Sequence, residues 1–354
     1  MHLHRARAPG GAEDRGAGGG RGGRDRIEAR PASAADDAAW DDLVLATSRG
    51  HFLQTRGWAL AKSLTGWTAR RFVIDGGGAA QVLVKTLPLG ITLAYCPRGP
   101  LVADEALPDA IVALRRALGR AGRCAALLCD PEAPPSLRGP LARAGVAVAP
   151  VHVQPGRTLI LDPSREPEEL LGAMRKKTRQ YIHKAERAGV ATEETTDLAR
   201  FHRLLRVVGE RDGFAIHSLA YLERLRDGLG DGLHTLMATV GGEDVGGLML
   251  ARMRDRAWEL YGGWSGTHAE DRPFYLLKWR ALQRMRQLGV TRYDMWGLTE
   301  RGSEDDALAG VEQFKLGFGG EVVEFVGALE TPVDRALFPL WQLVGRSRLA
   351  RAAT

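Results

Sequence analysis

Four basic side chains at helical spacing, Lys176, Arg179, His183 and Arg187, form the densest chemical feature of this chain. At about 100° per residue they share one side of the segment 167–190, with Arg175, Lys177 and Lys184 flanking them. Leu171, Met174, Thr178, Tyr181, Ile182, Ala185 and Ala188 fall on the other side. Glu186 alone neutralises the central and C-terminal part of the basic face. A face of this kind suits phosphates or nucleic acid; the plainer alternative is a solvated charged surface. Other chemistries find less support. No Ser-His-Asp or Cys-His arrangement is legible, which argues against an acyl-enzyme route. The nine histidines form no H-x-x-x-H or H-E-x-x-H pattern, so no metal site is expected. Cys96, Cys124 and Cys129 lack the spacing of a metal site or disulfide framework and read as buried reduced thiols.

The elements that must position these residues follow from periodicity. Pro167 suits a first helical position, Glu168 and Glu169 face the positive end of the helix dipole, and Gly189 can end the helix. One basic helix over 167–189 is therefore expected. Upstream, 34–46 and 52–67 read as helices. RFVI (71–74), QVLVKT (81–86) and ITLAYC (91–96) read as strands separated by Gly- or Pro-containing turns. An amphipathic helix (108–122), the apolar strand CAALLC (124–129), a short helix near Pro140 and a strand over 146–153 complete the segment. The second half repeats this order, with strands at 233–240, 245–253 and 257–264, a helix over 273–289 and a strand over 290–296. Three further helices are expected between Pro167 and Gly230. Strand–strand–strand–helix–strand thus occurs twice, which predicts mixed α/β sheets in two layers and fits a duplicated N-acetyltransferase-like (GNAT) fold.

That fold raises acyl-CoA-dependent N-acyl transfer as a rival activity. Such chemistry needs a Q/R-x-x-G-x-G/A turn whose backbone N–H groups cradle the pyrophosphate at a helix N-terminus. After the third strand of each repeat the chain reads CPRGPLVADE and SGTHAEDRP, and neither offers that turn.

At 354 residues the chain is too long for one ordinary core, so two domains are expected. With 44% hydrophobic and 26% charged residues it has the composition of a water-soluble globular protein, and the net charge of +6 favours polyanionic partners. No apolar run is long enough to span a bilayer and no signal-peptide core is visible, so a cytoplasmic protein touching at most a membrane surface is expected. Residues 1–25 are Gly- and Arg-rich and cannot bury enough apolar surface to fold. The first domain is placed at 26–155 and the second at 156–327.

The block MRKKTRQYIHKAERAGV resembles the signature of the FemABX peptidyltransferases, which add amino acids from aminoacyl-tRNA to peptidoglycan precursors. The likeness continues, in the family's order, through ERDGFAIHSLAYLERL, WELYGGWSG, LLKWRALQRMRQLGVTRYDMWG and GVEQFKLGFGGEVVEFVG, and covers roughly residues 27–345. It implies tandem GNAT-like domains, with residues 328–354 returning to the first. The long helical arm of some members has no room here, since little chain separates Tyr221 from Leu233.

The resemblance also assigns roles. The block from Phe314 to Gly320 is similar to the family's F-K-x-x-F-G motif, which puts Lys315 at the charge developing on the acyl ester, walled by Phe314 and Phe318. Gly317, Gly319 and Gly320 would let the main chain approach a substrate closely. Asp104, after Arg98-Gly99-Pro100, could face the acceptor amine or cap a helix. Asp294 reads as structural, and no general base stands out. Lys62 and Arg211 match basic positions expected at the precursor's phosphates, and Tyr221 and Tyr261 match aromatic positions of a peptide groove. The expected activity is aminoacyl transfer from aminoacyl-tRNA to a stem-peptide amine, without cofactor, by a monomer; Lys176, Arg179, His183 and Arg187 would hold tRNA phosphates. Transfer from CoA, transfer onto a small peptide natural product, and a silent RNA- or lipid-binding module are the alternatives.

Overall fold

A computed structural model describes residues 26–298 and 306–345. The expected disordered tail, 1–25, lies outside them. In chain order the first half contains β1 (Ala29–Pro31), α1 (Ala34–Ala38), α2 (Trp40–Ala46), α3 (Arg56–Ser63), β2 (Thr68–Ile74), β3 (Gly78–Thr86), β4 (Thr92–Cys96), α4 (Leu107–Arg120), β5 (Cys124–Cys129), α5 (Arg138–Arg143) and β6 (Ala147–Val148). The second contains β7 (Arg157–Leu161), α6 (Pro167–Ala173), α7 (Lys176–Arg187), β8 (Ala191–Glu194), α8 (Leu198–Asp212), α9 (Leu219–Leu229), β9 (Leu233–Val240), β10 (Glu243–Met253), β11 (Arg256–Trp264), α10 (Pro273–Gln287) and β12 (Arg292–Gly297). Then come α11 (Asp306–Leu316), β13 (Glu321–Glu324), β14 (Leu329–Pro332) and the short α12 (Phe338–Leu340), which runs into a π-helical turn, Trp341–Gly345.

Two seven-stranded sheets result, in the orders β1-β2-β3-β4-β5-β14-β6 and β13-β7-β12-β11-β10-β9-β8. Within each, three antiparallel strands are followed by a helix and a parallel partner: β4 beside β5, and β11 beside β12. The repeat read from the sequence is therefore present twice. The chain re-enters the first sheet through β14, between β5 and β6.

Several expectations need correction. The helix expected over 167–189 is two helices, because Met174 and Arg175 have extended ψ values and the Arg175 N–H donates instead to the Gly317 carbonyl at 2.9 Å. The helix over 34–46 likewise breaks at Ala39. The strand over 146–153 shrinks to Ala147–Val148. Four helices rather than three separate Pro167 from Gly230, accompanied by the unforeseen β8. The α8–α9 connection is short, and no helix among the described residues exceeds the 15 residues of α8 and α10.

Apolar side chains form one core between the first sheet and α4, around Phe72, Val82 and Leu114, and one between the second sheet, α7 and α10, around Ile182, Leu248 and Trp279. A third cluster joins the halves, with Phe52, Trp58 and Tyr95 from the first and Phe201, Tyr221 and Trp258 from the second. Gly57 and Gly228 make this junction tight. A Cβ on Gly57 would lie 2.1 Å from the Gly228 carbonyl oxygen, so only glycine lets α3 and α9 meet this closely.

Candidate active site

Two cavities open beside this junction and share a wall. The first, about 360 Å³, lies between the halves and is lined by Trp58, Lys62, Trp67, Tyr95, Gln154 and His217, among others. The second, about 660 Å³, is lined by Arg211, Glu259, Arg272, Lys278, Phe314 and Lys315, among others. Phe214, Leu260, Tyr261, Gly262 and Trp296 border both. The second cavity arises where β11 and β12 part: their parallel pairing ends at Trp258 and Asp294, leaving Glu259 and Met295 on opposite sides of a gap. A bulge in β11 leaves Leu260 unpaired between Glu259 and Tyr261, and all three line this cavity.

Lys315 reaches this gap from the last turn of α11. Its ammonium donates to the carbonyls of Gly297 at 2.6 Å and Trp296 at 3.3 Å. Burial, reinforced by the Lys278 ammonium, pulls its pKa down to about 8. Lys278 is buried and ion-paired with Glu259, which also accepts a hydrogen bond from the Tyr293 hydroxyl at 2.7 Å. Phe314 lines the cavity and stacks on Phe274 with 5.7 Å between ring centres, whereas Phe318 is core. The glycines after Lys315 serve the fold, contrary to the expectation of substrate contact. A Cβ on Gly317 would meet Thr178 Oγ1 at 2.4 Å, and one on Gly320 would meet the Ile160 carbonyl oxygen at 2.4 Å. They press the turn after α11 onto the α6–α7 break and β7, which fixes where the lysine emerges.

Trp296 carries the shared wall in a left-handed conformation, φ 62°, which costs a bulky residue on the order of 1–3 kcal/mol. Asp294 holds it there. One carboxylate oxygen accepts the Trp296 N–H at 2.7 Å and the Thr158 hydroxyl. Burial, then the neighbouring Glu132, pushes the Asp294 pKa up to about 6, against the pull of those two hydrogen bonds. From the first half, the Arg98 guanidinium lies over the Trp296 ring at 5.5 Å and donates to Pro155 O at 3.1 Å. Arg98 Nε and His51 Nε2 face the same Glu132 oxygen at 4.0 and 3.6 Å. His51 Nδ1 accepts the Leu53 N–H and burial holds the ring neutral, so its proton sits on Nε2, toward Glu132.

The other candidate residues divide. Lys62 lies in the first cavity, its ammonium 4.8 Å from the Trp58 ring and 5.3 Å from that of Tyr221; burial, then Lys85, pulls its pKa down to about 8. Tyr261 faces both cavities, and burial raises its pKa to about 12. Tyr221 is buried behind the first cavity, stacked on His217 at 3.9 Å, and backs the groove instead of lining it. Burial, then Lys62, lowers the His217 pKa to about 4. Arg211 borders the second cavity but is held by Asp212 at 2.6 Å and by the Trp264 carbonyl at 2.6 Å. Asp104 borders neither cavity. It pairs with Arg49 and makes no helix-capping bond, so both sequence readings of it fail.

On the basic face, Lys176 and Arg187 are exposed, and His183 pairs with Glu186 at 3.1 Å. Arg179 turns inward and donates to the carbonyls of Leu171, Gly172 and Met174, closing the C-terminus of α6. It is a helix cap, not a phosphate ligand. Among the described residues, His268, Glu270 and Asp271 bring possible metal donors within 4.8 Å of one another. They lie at the surface, and both His268 nitrogens already face carboxylates, Asp271 at 3.3 Å and Glu243 at 3.4 Å.

Sequence reasoning missed Glu259, Lys278, Trp296 and Glu132. The available signal for Glu259 was a strand apolar on both faces, with Ala257 and Tyr261 on its own side and Trp258 and Leu260 opposite, which leaves the carboxylate no solvent-facing side.

Comparison with known proteins agrees with this architecture. The FemAB family model matches residues 145–244 and 241–346, more than half of the chain. The lipid II:glycine glycyltransferase of Staphylococcus aureus (strain MRSA252) is 24% identical, over 88% of this chain and 95% of that protein. The crystal structure of FemX superposes with a TM-score of 0.77 at 22% identity, covering 90% of this chain and 99% of that one. A tandem GNAT protein from the clavulanic acid biosynthesis pathway gives 0.51 at 16% identity, over 87% and 99%. The chain belongs to the FemAB family and is a transferase built of two GNAT-like units in tandem, without a long coiled-coil arm among its described residues.

Proposed function

We propose that this transferase moves an amino acid from aminoacyl-tRNA to the amino group of a peptidoglycan stem peptide. The observation that carries the reading is the pair of cavities meeting at Tyr261 and Trp296, with Lys315 opening on one of them. The second cavity, with Arg211, Arg272, Lys278 and Lys315 against Glu259 and Asp212, has the charge to receive the anionic end of the donor. The first, with aromatic walls and Lys62, suits the acceptor peptide. Exposed Lys176 and Arg187 on α7 extend the basic surface for the donor's phosphates.

The aminoacyl ester is already activated, so the protein must orient the amine and stabilise the tetrahedral oxyanion. Lys315, desolvated and anchored to two carbonyls, supplies a fixed positive charge for that purpose. The alternative donor, acyl-CoA, fits less well. The helices that follow the third strand of each repeat carry proline in their first turn, at Pro108 and Pro273, which removes an N–H that a pyrophosphate cradle needs.

The test is a donor competition. The protein is incubated with a total aminoacyl-tRNA pool, acetyl-CoA, and a lipid-linked or UDP-linked stem-peptide precursor, and the acceptor is weighed by mass spectrometry. A gain of whole amino-acid residues that is abolished by ribonuclease is expected. A gain of acetyl groups, or no product with either acceptor, would overturn the reading.

A further inference from the structure

One end of the first sheet gathers features that the two cavities do not use. The register Thr68–Val84, Thr86–Thr92, Thr92–Cys124 and Ala126–Pro332 brings four stretches to that end. They are the turn after α3, the β3–β4 turn, the link from α4 to β5, and the chain leaving β14 for α12. Lys85 ties the first two together, its ammonium 3.4 Å from the Thr65 carbonyl and 5.3 Å from the Trp67 ring. Arg123 ties the second to the third, donating to the Leu89 carbonyl at 3.2 Å.

Large apolar side chains point outward here. Leu89, at the tip of the β3–β4 turn, is 81% exposed, and Leu64, in the turn after α3, 49%. Isolated exposed leucines are ordinary; two flanking a cationic cluster at one sheet end are not. Beside them stand Lys85, Arg70 and Arg123; in the chain leaving β14, Asp334 accepts the N–H groups of Ala336 and Leu337. Arg70 and Arg123 also line a small cavity of about 210 Å³ with Gly90 and Gly122, a space that suits one phosphate group. Leucines projecting from a cationic rim match a bilayer with anionic headgroups, where the leucines enter the interface and the cations stay at headgroup level. No helix among the described residues is long and apolar enough to cross a membrane.

We propose that this end of the first sheet is a docking surface for anionic membrane. Trp67, which lines the first cavity, belongs to the first of these stretches, and Lys62, which also lines it, sits in the last turn of α3 just before it, so docking brings that cavity near the headgroups and favours a lipid-anchored acceptor over a free nucleotide-linked one. That last consequence rests on the proposed function; the docking surface does not.

Flotation of the full chain with vesicles tests both parts. Vesicles of phosphatidylcholine with one quarter phosphatidylglycerol should bind the protein, pure phosphatidylcholine should not, and 0.5 M salt should release it. The double substitution Leu64→Gln/Leu89→Asp should weaken binding roughly tenfold or more, with the melting temperature unchanged, and Arg123→Glu about fivefold or more. Transfer to a vesicle-embedded acceptor should fall in parallel, while transfer to a soluble stem peptide stays at the wild-type rate. Wild type that ignores anionic vesicles, or leucine variants that bind as wild type does, would overturn the surface. Loss of tRNA binding in Arg123→Glu with vesicle binding intact would overturn it in favour of nucleic acid. If the wild type turns over neither acceptor, the transfer reading fails, yet flotation still decides the surface.

Discussion

The Lys315 ammonium donates to the Gly297 carbonyl at 2.6 Å, one residue beyond the left-handed Trp296 that divides the two cavities. Asp294 holds the Trp296 amide from the other side. A lysine and a carboxylate thus fix opposite sides of one strained residue, at the place where the two proposed substrates would meet.

Asp294→Asn tests the carboxylate. Its pKa is about 6 in the folded chain against an ordinary 3.8, so between those values the folded state binds more protons than the unfolded state. Stability attributable to this group therefore falls as pH rises from about 4 to 6 and stays low above. Asparagine keeps the acceptor oxygen without the charge. The difference in unfolding free energy, variant minus wild type, should become more positive across that window, by on the order of 1.4 kcal/mol for each pH unit crossed. Chemical denaturation at a series of pH values measures it. A difference independent of pH would show that Asp294 is not the group that titrates.

The basic face should separate into two behaviours. Lys176→Ala and Arg187→Ala should leave stability within about 0.5 kcal/mol. Each should also flatten the dependence of log donor affinity on log salt by roughly 0.7 to 0.9. Arg179→Ala, which uncaps α6, should cost about 1–2 kcal/mol in chemical denaturation and leave that slope unchanged. A slope change in Arg179→Ala alone would reverse the assignment.

Gly320→Ala should destabilise the fold by more than about 2 kcal/mol. Its φ is 91°, and the added methyl would lie 2.4 Å from the Ile160 carbonyl oxygen, which is backbone and cannot rotate away. Chemical denaturation reads this directly. A loss below about 0.5 kcal/mol would mean that the turn does not press on β7 as described.

Much of this was legible in the sequence, and what was not has local causes. CAALLC and LHTLMATV declared themselves as strands, since apolar runs bounded by turns survive any packing. The strand RTLIL carries little signal of its own, since Pro155-Gly156 and Asp162-Pro163 leave a run of only five residues between them. The break at Met174–Arg175 carries no Pro or Gly, and the apolar stripe runs through it in register. What breaks the helix is the Gly317 carbonyl, which is distant in sequence. Arg179 looked like part of a phosphate face for the same reason: only once the helix is broken are there carbonyls for it to cap. Glu259 and Lys278 were invisible as a pair because their contact depends on how α10 packs against the sheet.

The central claim is that Lys315 acts on the transition state of aminoacyl transfer. Lys315→Met should fold with a wild-type melting transition, because it removes a charge whose burial already disfavours it. With aminoacyl-tRNA and a soluble stem-peptide acceptor, its KM values should stay within a few-fold, while kcat falls about 10²–10³, the range for losing one oxyanion donor. In the wild type, kcat should decline as pH rises through about 8, where the ammonium loses its proton. The same transfer assay, run on wild type and Lys315→Met across that pH range, is the most direct measurement. A large drop in kcat with near-constant KM, together with loss of the limb near pH 8, is the result this account predicts. Near-normal turnover in the variant, or a large rise in KM with kcat intact, would contradict it.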